Sequence, residues 1–301
     1  MAFLELLKVI FLGIVEGITE WLPISSTGHM LLFDELIKLS ADQEFKDMFF
    51  VVIQFGAIIA VIYVYWSKLW PFRIRNSAKA ATLAEKDKRY RAKWKDEYII
   101  GSVGISRPTI LMWLKVLVAT IPAAIIGLLL DDWMDKYAHN AAVIAVALIV
   151  YGALFILVEN RNERREPYIT KLGQLSYLDA LKLGLFQSLA IVPGTSRSGA
   201  TIVGGLTMGI SRRLATEFSF FMSIPIMFGW SLIKLIKFGF HYTALQFFEL
   251  ILGMAVSCVI SIIVIRFLIN YIRKNSFKYF GIYRIAFGLL VIIIFTIKAV
   301  A

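Results

Sequence analysis

The chain has 301 residues, of which 59% are hydrophobic, and its formal net charge is +11. That apolar share exceeds what a soluble domain carries, and several apolar runs reach the roughly 20 residues that cross a bilayer. Composition therefore excludes an ordinary soluble domain and points to a polytopic membrane protein forming one membrane domain over residues 1–301. The basic residues lie between the apolar runs, so positive-inside topology and anionic headgroups account for them and nucleic-acid binding does not. Cys258 is the only cysteine and lies inside an apolar run, which leaves no intrachain disulfide.

The first segment, Phe3 to Leu22, is long enough to span, yet it carries Glu16 and Glu20 on one helical face and ends at Pro23, which lacks the N–H a continuing helix needs. Its start lacks the basic residues of a cleaved signal peptide. Ser25, Ser26, Thr27 and Gly28 form a polar turn, and the helix that follows, Thr27 to Leu39, is only about 20 Å long against a hydrocarbon core of roughly 30 Å. The two pieces therefore read as a re-entrant hairpin. Irregular backbone of this kind survives at membrane depth only inside protein or along a cavity.

Phe45 to Trp66 reads as a span with an aromatic end at Tyr63, Tyr65 and Trp66. The segment of about residues 67–108 is rich in Lys and Arg and is expected to be a cytoplasmic insert, with a charged surface helix over Ala78 to Tyr98. Thr109 to Leu130 spans outward with a kink expected at Pro122, and Asp131, Asp132 and Asp135 are expected in a short external loop. Ala141 to Val158 returns to the basic side. Leu178 to Val192 and Ser198 to Ile210 are each too short to span and are separated by the PGTSR stretch, a second re-entrant candidate. Leu214 to Leu235, Phe247 to Ile269 and Gly281 to Ile297 complete the spans.

Shifting the chain by 171 positions superposes Gly13 on Gly184, Glu16 on Gln187, Ser25 on Ser196, Gly28 on Gly199 and Phe49 on Phe220. The expected fold is thus all-α, with two repeats (1–160 and 172–301) that each hold a re-entrant hairpin and three spans. Three is odd, so the repeats are inverted, and the hairpin tips should meet near the midplane.

The tips concentrate the polar inventory. Ser25, Ser26, Thr27, Gly28 and His29 face Gln187, Gly194, Thr195, Ser196, Arg197, Ser198 and Thr201. Ionisable groups at this depth are costly and mark function. The Arg197 fork suits two phosphate oxygens, and Gly194 and Gly199 allow close backbone approach. Helix N-termini favour anions. Glu16 and Glu20 suit a divalent cation such as Mg²⁺ or Ca²⁺. Together they describe a phosphoryl or polyphosphate site in which Ser26 or His29 attacks phosphorus, or His29 moves a proton. In the plainer reading the glutamates and Arg197 form structural ion pairs, and Thr27 and Ser198 are N-caps.

The stretches GIVEGITEWLPISSTGH (Gly13 to His29), PGTSRSGAT (Pro193 to Thr201) and FSFFMSIP (Phe218 to Pro225) resemble the motifs of the undecaprenyl-diphosphate phosphatase family, the bacterial membrane phosphatases linked to bacitracin resistance. The resemblance covers essentially the whole chain and is weakest over about 78–105. It implies hydrolysis of undecaprenyl diphosphate to the monophosphate and inorganic phosphate, aided by a divalent cation, in the bacterial plasma membrane. It also implies Glu16 and Glu20 as metal-binding or acid–base groups, Ser26 as nucleophile with His29 as partner, and Arg197 on the diphosphate with Ser196 and Thr201 in support. Access from the extracytoplasmic side and, in some members, a homodimer are implied as well. The rival reading is a secondary transporter or lipid flippase, which shares the broken-helix architecture but needs no nucleophile.

Overall fold

The computed structural model describes residues 2–74, 97–100, 103–239 and 242–300. The first hairpin is α1 (Ala2–Thr19) and α2 (Ser26–Ile37), followed by α3 (Gln43–Leu69). Three short strands follow: β1 (Phe72–Ile74), β2 (Glu97–Ile100) and β3 (Val103–Ser106). Next come α4 (Arg107–Tyr137) and α5 (Ala141–Asn162). The second hairpin is α6 (Tyr177–Ser188), a 3₁₀ turn at Leu189–Ile191, and α7 (Arg197–Thr207). The chain closes with α8 (Arg212–Phe238), α9 (Ala244–Tyr271) and α10 (Lys278–Val300).

Six helices, α3, α4, α5, α8, α9 and α10, are long and apolar enough to cross a membrane. This is a polytopic α-helical membrane protein, and both hairpins fall where the breaks at Pro23 and at PGTSR predict. Their surfaces fit a lipid surround. On α4, Leu114, Leu117, Ile121, Ile125 and Leu128 follow one another at three- and four-residue spacing and are all exposed, a lipid-facing stripe rather than a solvated one.

Two expectations need correction. Asp131, Asp132 and Asp135 are not in a loop, because α4 continues to Tyr137. Trp133 and Tyr137, four residues apart, bring their rings to 5.4 Å, an i,i+4 contact that carries the helix beyond its apolar run. The charged helix expected over 78–98 lies outside the described residues except for Glu97 and Tyr98, which are in β2. There Tyr98 pairs antiparallel with Ile105 of β3, and Phe72 of β1 pairs with the other edge of Ile105. The β-branched run YIIGSVGIS favours a strand pair over a helix here. The sheet sits at the basic end of α3 and α4, remote from the hairpin tips.

The helices pair reciprocally between the halves. α1 of the first hairpin packs on α9, and α6 of the second packs on α4, while α3 packs on α8 and α5 on α10. The equivalent glycines sit at the equivalent crossings. A Cβ on Gly13 would lie 2.9 Å from the Gly253 carbonyl oxygen of α9, and one on Gly184 would lie 2.2 Å from the Ala119 carbonyl oxygen of α4. Helix backbones come this close only where side chains are absent.

Charged contacts fix the helix ends. Buried Glu159 of α5 accepts from Arg212 Nε at 2.9 Å and from the Phe277 N–H at 2.9 Å, tying α5, α8 and the start of α10. Lys278 pairs with Glu163 just beyond α5, and its hydrogen bond holds the Glu163 carboxyl below the usual range.

Gly184→Val must displace backbone of α4, and overpacking of this kind costs about 1–3 kcal/mol or more. It is expected to lower the melting temperature of detergent-purified protein. Gly229→Ala, with no neighbouring atom within 4 Å of the added carbon, is expected to melt with the wild type. Thermal unfolding followed by size-exclusion chromatography reads both.

Candidate active site

Each hairpin turns on a serine in a backbone conformation that serine rarely adopts. Ser25 has φ 74° and Ser196 has φ 70°, positions related by the 171-residue shift. Both are N-caps: Ser25 Oγ accepts from the Gly28 N–H, and Ser196 Oγ accepts from the Gly199 N–H. The caps are therefore Ser25 and Ser196, one residue before each helix, and not Thr27 and Ser198, which already lie inside α2 and α7. Strain of order 1–3 kcal/mol at such residues persists where the surroundings over-determine it. Here the strained serine satisfies one first-turn N–H of each short helix, a group that has no acceptor within the helix itself. Gly194 has φ 90°, and a Cβ there would lie 2.5 Å from the Ile144 carbonyl oxygen, so the PGTSR turn admits only glycine at that place.

The tips meet at Glu20. Its Oε1 accepts from Arg197 Nη2 at 3.0 Å, and its Oε2 accepts from Ser26 Oγ at 2.8 Å. Its backbone oxygen accepts from Ser198 Oγ at 3.4 Å. The carboxylate thus links the first-hairpin serine to the second-hairpin arginine. Arg197 also donates from Nη1 to the Ser219 carbonyl at 2.9 Å, which places the FSFFMSIP stretch behind it, and the guanidinium lies 5.9 Å from the Trp21 ring centroid. Arg197 Nε has no partner.

Glu16 is fully buried, and both its carboxyl oxygens lack a hydrogen-bond partner among the described residues. Its repeat equivalent, Gln187, is also buried with both amide atoms unpartnered. Buried polar groups in native structures are almost always satisfied, so two orphans at equivalent positions argue for a polar occupant. Among the described residues no three His, Cys, Asp or Glu side chains cluster as a metal site. The donor set fits a Mg²⁺-type ion instead, which takes one or two carboxylates and completes its shell with water and substrate phosphate oxygens.

His29 is placed differently from its sequence reading. Its Nδ1 lies 2.7 Å from the Ser25 carbonyl oxygen and its Nε2 lies 2.8 Å from the Tyr283 hydroxyl. A carbonyl only accepts, so Nδ1 carries a proton, and in the neutral ring Nε2 accepts from Tyr283. The imidazole stacks on Phe287 at 3.9 Å. Ser26 is therefore hydrogen-bonded to Glu20 and not to His29, although Ser26 and His29 are three residues apart on α2.

The remaining predicted residues divide by what they touch. Ser196 and Ser198 bring their hydroxyls to 3.2 Å of each other at the junction. Thr27 is half-buried in the first turn of α2, and Gly28 is buried beside it. Thr201 donates to the Arg197 carbonyl of its own helix, so it braces the backbone that carries Arg197.

Sequence reading missed Arg284. It is fully buried and donates from Nη1 to the Pro23 carbonyl at 3.1 Å, and from Nη2 to the Gly194 and Thr195 carbonyls at 2.8 and 2.9 Å. One guanidinium thus holds carbonyls from both hairpin turns. Its signal was an arginine inside the Gly281–Ile297 apolar run, one turn from the start.

Together these features define a class: a membrane protein with two broken-helix hairpins whose tips form a buried carboxylate–arginine–hydroxyl site suited to a phosphoryl group. Comparison gives the family. Residues 9–290 match the family model described as bacitracin resistance protein BacA, and the chain belongs to that family. It is similar to the undecaprenyl-diphosphatase of Enterococcus faecalis, at 51% identity over 97% of this chain and 98% of that one. It is also similar to the undecaprenyl-diphosphatase of Desulfitobacterium hafniense, at 48% over 100% and 99%. The undecaprenyl-diphosphatase of Acetivibrio thermocellus matches at 49% over 97% and 98%.

Arg284→Met leaves three buried carbonyls without a donor, each worth about 1–3 kcal/mol when unsatisfied. It is expected to lower the melting temperature sharply. Arg284→Lys keeps the charge but cannot reach both turns at once, and is expected to fall between the two. Thermal melts of the three proteins in one detergent give the order.

Proposed function

We propose that this protein is an undecaprenyl-diphosphate phosphatase of the bacterial plasma membrane. It hydrolyses the diphosphate to undecaprenyl phosphate and inorganic phosphate, which returns the lipid carrier to peptidoglycan synthesis and confers bacitracin resistance. The observation that carries the reading is the continuous chain Ser26–Glu20–Arg197 across the two hairpin tips. A transporter or flippase needs a cargo site but no hydroxyl held against a carboxylate, and the similarity to undecaprenyl-diphosphatases favours the enzyme.

In the mechanism we infer, the prenyl tail stays in lipid while the diphosphate enters the tip junction. Arg197 turns its fork to the terminal phosphoryl oxygens, and the first-turn N–H groups of α2 and α7 receive the rest. Ser26 Oγ attacks the terminal phosphorus and its proton passes to Glu20 Oε2, the atom it already touches. The new bond is Ser26 O–P. The bond that breaks joins the terminal phosphorus to the bridging oxygen, which leaves on undecaprenyl phosphate. Water then attacks the phosphoserine phosphorus, the Ser26 Oγ–P bond breaks, Glu20 Oε2 returns its proton to Ser26 Oγ, and phosphate leaves carrying the oxygen and protons of the water. His29, with both nitrogens engaged, holds the Ser25 turn through Tyr283 and α10; direct attack by His29 requires that these bonds break first. Glu16, with Glu20, would hold a divalent cation, which supplies charge neutralisation on the phosphoryl oxygens.

The same proposal includes the inverted relation of the two halves, which the reciprocal pairing of α1 with α9 and α6 with α4 supports. It also includes opening of the site to the extracytoplasmic side, which rests on the basic loops at the other end, and a homodimer, which rests on the family resemblance alone.

Purified protein is expected to release phosphate from undecaprenyl diphosphate, and Ser26→Ala to lose at least about 10³-fold in kcat while remaining monodisperse. A rapid-quench search for a labelled phosphoserine tests the attacking atom. A variant that retains most of its activity, with no phosphoenzyme in the wild type, moves the attack to water or His29.

A chelator is expected to abolish turnover and added Mg²⁺ or Ca²⁺ to restore it. Glu16→Gln is expected to raise the metal concentration for half-maximal activity by about tenfold or more. Unchanged turnover in chelator removes the cation from the mechanism.

A further inference from the structure

A second polar site lies away from the hairpin tips. A cavity of about 250 Å³ opens between α3, α8 and α9, lined by Tyr65, Lys68, Arg213, Glu217, Arg266 and Asn270. That volume is just below the roughly 300 Å³ at which small-molecule pockets begin, a size for a headgroup and not for a whole lipid. α3 departs from helical geometry at Tyr65 (φ −107°, ψ 16°), beside the cavity.

The charge of this cavity is unbalanced. Glu217 is its one carboxylate, and both oxygens are taken: Oε2 by Lys68 Nζ at 2.7 Å and Oε1 by Arg213 Nε at 3.0 Å. Glu217 is buried whereas Lys68 and Arg213 are exposed, so it anchors the two cations and leaves their other N–H groups outward. Arg266 and Asn270, one turn apart on α9, make no hydrogen bond or ion pair with any described residue. Three cations face one saturated carboxylate, with a free guanidinium fork and a free amide among them. That arrangement matches phosphate oxygens.

The surroundings are those of a membrane interface. Trp66 and Trp70 stack at 4.8 Å on the same end of α3, and both are exposed; indole rings at span ends lie at headgroup depth. From the cavity along α9 runs an exposed stripe of Phe267, Ile263 and Val259 at four-residue spacing. Phe267 and Ile263 neighbour Arg266 and Asn270 on the helix surface. A polar pocket at headgroup depth that continues into an apolar lipid-facing stripe has the form of a bound amphiphile. None of its lining residues belongs to the tip junction.

We propose that this cavity binds the phosphate headgroup of an anionic lipid, with Arg266 as the principal contact and the tail along α9. A glycerophospholipid and a prenyl monophosphate share the recognised group. The test uses purified wild type and Arg266→Gln, which breaks no hydrogen bond or ion pair with a described residue, with native mass spectrometry as readout. Phosphatidylglycerol, farnesyl phosphate, phosphatidylcholine and inorganic phosphate are titrated separately. One molecule of phosphatidylglycerol or farnesyl phosphate is expected to bind the wild type about tenfold more tightly than Arg266→Gln, and whichever shows the loss identifies the lipid class. Phosphatidylcholine is expected to bind both proteins alike. Equal binding of every lipid to both proteins overturns the proposal. So does competition by inorganic phosphate with no lipid binding, which would leave a free-anion site. Phosphate release is expected to be unchanged in Arg266→Gln, since the residue lies outside the catalytic junction, and that result shows that the variant is folded.

Discussion

A fully buried guanidinium, with no carboxylate partner among the described residues, joins the two hairpin turns of this membrane protein. Arg284 brings its charge from α10 to three carbonyl oxygens, one from the first hairpin turn and two from the second. At membrane depth an unpaired carbonyl has no water to turn to, and a turn has carbonyls to spare because its helix has stopped. Two broken helices therefore create a need that one five-donor side chain can meet. The need and the donor fix each other: the turns hold the charge in place, and the charge holds the turns together. Without that bridge the tips have only the contacts around Glu20 to align Ser26 with Arg197.

The glycines and the capping serines carry the same logic outward. Gly13 and Gly184 let the first helix of each hairpin lie against backbone of a span from the opposite half. Each hairpin is therefore wedged against the other half's spans and supported there. The left-handed serines then aim the two short helices at a common point. The cost of the strained residues is local, and the support is spread over the helix crossings, which is why the arrangement persists.

Much of this was legible in the sequence, for a physical reason. Pro23, the PGTSR turn and the length of each apolar run are local signals, and the hairpins and six spans stand where those signals put them. Glu20, Ser26 and Arg197 were identifiable because charges and hydroxyls are rare in such surroundings. What could not be read were pairings across long sequence distance. Tyr283 lies 254 residues from His29 yet occupies its Nε2, so a motif resemblance that makes His29 the partner of Ser26 holds no sign of the ring's own partners. Arg284 is visible as an arginine inside a span, but it lies outside all three motif stretches. The aspartates after Leu130 follow the end of the apolar run and so read as a loop, whereas α4 continues through them and carries the Trp133–Tyr137 contact in its last turns.

Charge balance ties the site to its proposed cation. The junction holds two carboxyl groups, Glu16 and Glu20, and two guanidiniums, Arg197 and Arg284, and both guanidiniums are already committed to acceptors of the fold. A diphosphate entering this junction therefore meets no guanidinium that is not already bound to the protein. Burying such a group without compensation is prohibitive. Arg284 cannot turn to the substrate without releasing the hairpin turns, and Arg197 can do so only by leaving Glu20. Under the proposed function, a divalent cation held by Glu16 and Glu20 would supply the missing positive charge. Glu16 has two carboxyl oxygens with no hydrogen-bond partner among the described residues, and positive charge beside them would let Arg197 turn from carboxylate to phosphate. The apparently wasteful feature of the site, a fully buried carboxyl group left unpartnered by the described residues, would then be the feature that admits the substrate.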